Sequence, residues 1–241
     1  MYPHSDFLAD SAESMIDQLF RKPNFLGLIN KENSFEVTVD QREIDVLHLG
    51  AETTLSWGGC EIFDRYPMLT ILLTFTPSIT FDVDAFYTSL DRSEHSALVE
   101  VSVRYRPRDT KNLRHMYAEI ILSLVHEFQH MIQDLEYGCD MTETSSLTLE
   151  KHCLNDLEVD ARVEEMIALK KLTGKSFKEC LSACLNAYFS RNSGRKKSIF
   201  LEAAKIEHQK IYDYKMSLEK HSSKDMKCAA DPRMQRICQI A

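Results

Sequence analysis

Along residues 5 to 21 apolar side chains return every three or four positions, with Phe7, Leu8, Met15, Leu19 and Phe20 near one side and Pro23 closing the run. That spacing predicts a short amphipathic helix over Ser5 to Arg21. From there to Pro107 the period shortens to two. Phe35, Val37 and Val39 alternate with Glu36 and Thr38, and Ile44, Val46 and His48 follow the same rule, so strands are expected over 34–40 and 44–48. Met68 to Thr76 is a nearly continuous apolar run rich in branched residues, the pattern of a central strand buried on both faces. Leu98 to Arg106 sets Val99, Val101, Val103 and Tyr105 against Glu100, Ser102, Arg104 and Arg106, which gives one buried and one wet face. Trp57-Gly58-Gly59-Cys60 reads as a turn, and Pro77, Pro107 and Asp109 read as strand ends.

Beyond Pro107 the period lengthens to that of helices. Lys111 to Tyr137 carries Leu113, Met116, Ile120, Leu124, Phe128 and Ile132 at spacings of three and four, with Gly138 placed as a C-terminal cap. Asn155 to Leu172 repeats the pattern and ends at Gly174. Ser176-Phe177-Lys178-Glu179 has the form of a capping box opening a third helix that carries Cys180, Cys184 and Tyr188. A fourth is expected from Ser198 to about Lys220. The elements together predict an α+β fold. A small twisted N-terminal sheet with one helix occupies residues 1–107, a helical lobe 108–190, and a helical extension 191–241.

Composition agrees with that picture and narrows it. Seven Gly and six Pro in 241 residues are about half the usual share, which argues against collagen-like, disordered and turn-rich all-β classes. No apolar run approaches the length of a membrane span, and the N-terminus has no basic region followed by an apolar stretch, so a cytoplasmic protein without a membrane partner is expected. Seven cysteines without a C-x-x-C pair indicate reduced thiols, neither a disulfide framework nor a zinc ribbon. Charge is uneven. The net charge is −8, but residues from Arg191 onward carry twelve Lys plus Arg and six Asp plus Glu, so a +6 tail follows a −14 body. The tail reads as a solvated helical face or as a docking segment for an acidic partner, and the body favours basic peptide segments. With an acidic total and no interleaving of aromatic and basic residues, a nucleic-acid partner is not expected.

The segment that carries chemistry is Leu124-Val125-His126-Glu127-Phe128-Gln129-His130-Met131-Ile132-Gln133. Two histidines four apart on a helix lie one above the other, so both imidazoles can reach one metal ion. Glu127 points about 100° away from His126, which sets its carboxylate beside the metal and not on it. This is the H-E-x-x-H arrangement, in which zinc acidifies a water and the glutamate removes its proton. Apolar neighbours on both sides of the motif argue against a pair of merely solvated histidines.

Here the chain resembles the zincin metallopeptidases, and more narrowly the gluzincin-like group. His130-Met131-Ile132-Gln133 and the later Glu158-Val159-Asp160-Ala161-Arg162 are similar to segments of small zincin-like proteins encoded by phages and mobile elements. The resemblance covers Arg104 to about Lys170. A third histidine six residues after His130, which metzincins require, is absent, because Glu136 stands there. The resemblance implies a Zn2+ cofactor held by His126, His130 and a carboxylate on the following helix. It also implies Glu127 as the catalytic general base and a peptide or protein substrate.

For the third ligand there are two candidates. Asp160 and Glu158 are two apart on one helix, about 200° from each other, so they cannot share the role. In gluzincins the ligand precedes a small residue and has a second carboxylate four positions on that orients a ligating histidine. Asp160, followed by Ala161 and by Glu164 one turn later, matches that pattern and is preferred, with Glu158 as the alternative. Gln133 is expected to bond a group behind the ligands or to bridge helices. Tyr105, Tyr137, His152, Tyr188, His208 and Tyr212 each have the chemistry of an oxyanion donor. His115 is three turns from the pair and too far to ligate, and Cys180 with Cys184 reads as a pair of small core residues. The expected function is zinc-dependent hydrolysis of peptide bonds. The alternatives are a non-catalytic, zinc-stabilised structural or interaction protein, such as a phage virion or assembly component found with the virion, and a nucleic-acid regulator using the +6 tail.

Overall fold

The computed structural model describes residues 5–21, 34–39, 43–48, 51–56, 68–91, 96–106, 113–137, 154–190 and 196–229. The elements are α1 (Ser5–Phe20), β1 (Ser34–Val39), β2 (Glu43–His48), β3 (Ala51–Ser56), β4 (Met68–Pro77), β5 (Asp82–Asp91) and β6 (Ser96–Tyr105). They continue with α2 (Leu113–Tyr137), α3 (Asp156–Thr173), α4 (Phe177–Ser190) and α5 (Lys196–Ala229). The fold is mixed α+β. Its chain divides into two compact units, residues 1–180 and 181–241, and the division falls inside α4. The turn expected at Trp57 to Cys60, the cap at Gly138, the Pro107–Asp109 strand end and His152 lie outside the described residues.

In the first unit the six strands form one sheet in the order β3-β2-β1-β4-β6-β5. β1–β2, β2–β3, β1–β4 and β5–β6 pair antiparallel, whereas β4 and β6 run parallel, with Ile71 opposite Val99 and Leu73 opposite Val101. The chain reverses at residues 78–81, passes the end of β6, and returns as the outer strand β5. Ser78 N–H donates to the Tyr105 carbonyl at 2.7 Å, which ties this reversal to the end of β6. Arg106 Nε donates to the Ile79 carbonyl at 2.9 Å and secures it from the other side. β6 is therefore interior, and β5 forms the edge.

Strand alternation decides what is covered. Ile71, Leu73 and Phe75 of β4, and Val99, Val101 and Val103 of β6, are buried at no more than 1% exposure. On the opposite face Leu72 and Thr74 are half-buried and Thr76 is exposed. Over residues 71–76 the apolar run is thus buried on one face only, where both had been expected. The threonines at positions 74 and 76 tolerate water, which is why the run can stop short of full burial.

Helices α1 and α2 supply the apolar side that this face needs. Leu8, Ala12 and Ile16 of α1 and Ile120, Leu124, Val125 and Phe128 of α2 join the strand residues in one core. Burying such side chains stabilises by roughly 1.5 to 3 kcal/mol each. Tyr117 of α2 packs edge-on against Phe20 and donates its phenol hydrogen to Asp17 at 2.8 Å, which fixes α1 along α2. The Lys171–Asp10 ion pair links α1 to the end of α3.

Both ends of α3 are capped, at Gly174 as the sequence led one to expect and at Asn155 as a new finding. Asn155 Oδ1 accepts from the Leu157 and Glu158 amides at 3.0 and 3.4 Å. At the far end Gly174 adopts φ 70°, and its N–H donates to the Lys170 carbonyl. The capping box opening α4 is formed in both directions: Ser176 N–H donates to Glu179 Oε2 at 2.9 Å, and Glu179 N–H donates to Ser176 Oγ at 3.4 Å.

Residues 181–241 form the second unit. Its share of α4 buries Leu181, Leu185 and Phe189, one per turn. Its other helix, α5, buries Ala204, His208 and Lys215 and runs past the Lys220 end expected from the sequence. His208 Nδ1–H donates to the Ala204 carbonyl at 2.6 Å, within its own helix. Among the described residues no helix is long and apolar enough to cross a membrane.

Candidate metal centre

Helix α2 is apolar toward the sheet, and its histidines emerge where α3 crosses it. His126 and His130, one turn apart, present Nε2 atoms 3.1 Å from each other. Glu158, in the first turn of α3, faces both: Oε2 is 3.4 Å from His126 Nε2 and Oε1 is 3.6 Å from His130 Nε2. His126, His130 and Glu158 make up a group whose ligand atoms all lie within 4.8 Å of one another and could hold a metal ion. The three side chains are 14%, 6% and 4% exposed.

The preferred third ligand, Asp160, is not in this group. Its carboxylate turns away, as the angle of about 200° between positions two apart on a helix requires. Asp160 Oδ2 accepts from the side-chain amides of Gln129 and Gln133 at 2.5 and 2.9 Å. It is Glu158, the alternative, that faces the histidines. The carboxylate behind His126 also differs from the expected Glu164, which is buried. Glu165 takes the place, with Oε2 3.4 Å from His126 Nδ1. Seven residues separate Glu158 from Glu165, two turns that bring both to one face of α3.

Gln133 shows how the second histidine is oriented. Its amide nitrogen donates to the Leu157 carbonyl at 3.0 Å and to Asp160 at 2.9 Å, so its oxygen must face His130. That oxygen stands 2.8 Å from His130 Nδ1, which therefore carries the hydrogen. In both imidazoles Nδ1 is engaged from behind and Nε2 is aimed at the centre, the arrangement that ligating histidines usually have.

Without a metal the centre holds protons. Burial pushes His126 toward neutrality, but Glu158 and Glu165, with Glu127 nearby, outweigh it and raise the imidazole to about 9. Burial raises Glu127 to about 7; His126 pulls it down, Glu158 and Asp84 push it up, and a hydrogen bond from the Tyr87 backbone N–H lowers it. Glu127 is 6% exposed and belongs to the turn of α2 that faces β5. Glu119, two turns before His126, is raised by burial and by Glu165, with His115 opposing.

Of the expected oxyanion donors, Tyr105 is buried in the sheet core against Phe75, and His208 and Tyr212 belong to the second unit. His115, expected to be too far from the pair to ligate, is exposed beside Glu119 and Phe81. The side chains of Tyr137 and Tyr188 fall outside the described set. Cys180 is buried, as a core residue, and Cys184 is partly so. Glu165, Gln129 and Tyr87 escaped the sequence reading. The first was signalled by its spacing of seven from Glu158, and the second by its spacing of four from Gln133.

The chain matches no family model, no curated protein and no solved structure. Its chemistry must be read from the site itself.

Proposed function

We propose that the chain is a zinc-dependent metallopeptidase of zincin type. The observation that carries this reading is the spacing of the three ligand atoms. Ligands about 2.0 to 2.1 Å from a tetrahedral zinc stand about 3.3 Å apart; here the two Nε2 atoms are 3.1 Å apart, Glu158 approaches His126 through Oε2 at 3.4 Å and His130 through its other oxygen, Oε1, at 3.6 Å, and one ligand atom from each residue lies within 4.8 Å of the others. Two imidazoles and one carboxylate are a donor set suited to zinc, and three protein ligands leave a fourth position for chemistry. Bound there, zinc supplies a Lewis acid that polarises a carbonyl and acidifies water.

The remaining steps belong to this chain's own residues. Glu127, next to His126 and off the ligand set, takes a proton from the attacking water and passes it to the departing amine. Burial raises Glu127 to about 7 in the metal-free centre, and a cation held beside it by His126, His130 and Glu158 would lower it toward the carboxylate that accepts a proton. Glu165 and Gln133 keep the imidazoles in the ligating tautomer. β5, the edge strand beside Glu127, offers main-chain groups to an extended peptide. Asp84, exposed on that strand, and the acidic body favour basic substrates.

A second reading has one observation in its favour. The near-complete burial of the three ligands also suits a zinc site that only stabilises a structural or interaction protein. Glu127→Gln separates the two. Peptide cleavage should fall by at least a hundredfold while zinc stoichiometry and thermal stability stay as in the wild type. If the wild type holds one zinc and cleaves neither itself nor any member of a diverse peptide library, the structural reading stands and the hydrolase falls.

A further inference from the structure

Tyr87 of β5 takes part in two polar ties to α2. Its backbone N–H donates to the Glu127 carboxylate, and its phenol donates to Asp134 Oδ2 at 2.8 Å. Tyr87 and Asp134 are buried, at 9% and 6% exposure. Glu127 and Asp134 are seven residues apart, on one face of α2 and about 10 Å from each other along its axis. One residue of the edge strand thus grips the helix at two points two turns apart, and one of those points is the proposed general base.

Apolar contact alone would not do this. Val83 and Ala85, on the same face of β5, pack against the core, and such contact resists separation but has no preferred direction. A strand held only that way can slide along a helix by a fraction of a residue. Hydrogen bonds weaken steeply with misalignment, so two of them at separate points fix both position and rotation. Asp134 also extends the His126, His130 row by one more turn. The anchor for the strand is therefore on the same rigid helix as the ligands.

On the reading of this centre as a hydrolase, we propose that Tyr87 is a positioning residue for Glu127: its phenol, anchored on Asp134, sets β5 against α2 so that the Tyr87 amide holds the Glu127 carboxylate in one orientation. Tyr87 would touch neither metal nor substrate through its side chain. Its effect would fall on kcat, because the base must be placed at the moment of proton transfer, and much less on zinc affinity.

Tyr87→Phe in the zinc-loaded full chain is the test, since it keeps the ring and removes only the phenol hydrogen bond. A misplaced catalytic group costs about ten- to a hundredfold in rate, so kcat should drop by that factor with KM and zinc affinity changed less than about threefold. Asp134→Ala should cause a similar drop, and the double variant no further one. A measurement that needs no turnover accompanies these: hydrogen exchange at the Tyr87 amide should accelerate in Tyr87→Phe toward its rate in Glu127→Ala. Unchanged kcat, a loss of zinc affinity as large as the loss of rate, or additive losses in the double variant would each overturn the proposal. Should the wild type prove inactive on peptides, the hydrolase reading falls on its own account. The exchange measurement then decides for Tyr87, and an unchanged amide rate overturns it.

Discussion

Glu158 and Asp160 are chemically near-equal and two residues apart, yet they face different partners. Glu158 meets the two imidazoles, while Asp160 accepts from the amides of Gln129 and Gln133 and, through Gln133, steadies His130. Glu158→Ala should therefore abolish stoichiometric zinc binding. Asp160→Ala should retain one zinc per chain and weaken its affinity by about ten- to a hundredfold, the usual cost of removing a group behind a ligand. Titration against a chromophoric chelator reads both. Protons tell the same story. His126 is raised to about 9 and Glu127 to about 7, so the folded, metal-free chain binds more protons than the unfolded one. The stability they contribute is complete below the unfolded values, about 4.5 for Glu127 and 6.5 for His126. It is lost as pH rises through 7 and 9. A metal ion must displace the His126 proton. Zinc affinity should accordingly rise with pH up to about 9, with about one proton released per ion near neutrality. Calorimetry in two buffers of different ionisation enthalpy measures that proton.

Helix α3 owes its placement to its two ends. Asn155 Oδ1 holds the amide of Glu158 itself, so Asn155→Ala should cost about 1 kcal/mol of stability and also weaken metal binding, both read by urea denaturation with and without zinc. Gly174 has φ 70° with nothing within 4 Å of an added Cβ. Gly174→Ala should therefore cost about 1 kcal/mol through backbone strain alone, leaving zinc affinity as it was. Elements of this kind were legible in advance because a helix announces its ends chemically. The long helices, Gly174 and the Ser176 box all follow from local rules. Two strands were not legible. In β5 the apolar Phe86 points outward at 49% exposure between Asp84 and Thr88, which hides the alternation of Val83, Ala85 and Tyr87. In β3 the run Ala51-Glu52-Thr53-Thr54-Leu55-Ser56 carries too few apolar residues to show a period. The histidine pair was readable because both ligands share one helix. The third ligand was not, because it depends on how α3 is rotated against α2. A family spacing of four pointed to Asp160 and Glu164, whereas the geometry uses the spacing of seven between Glu158 and Glu165.

At the scale of the molecule, sheet, α2 and α3 belong to one unit, and the residues before 191 carry a net charge of −14 against +6 for those that follow. Peptides rich in Lys and Arg should be cleaved faster than acidic ones of equal length, and the ratio should shrink as ionic strength rises and the screening length falls below about 10 Å. A rate ratio that is flat in salt would count against electrostatic selection. The ligands also have a topological consequence. His130 and Glu158 are 28 residues apart in the chain, and an ion that joins them closes that stretch into a ring. Treated as a crosslink, such a ring removes entropy from the unfolded chain equivalent to about 3.5 kcal/mol. In that sense zinc would act as a reversible, chelator-sensitive staple whose presence decides how firmly the helix carrying Glu158 stays against the helix carrying the histidines.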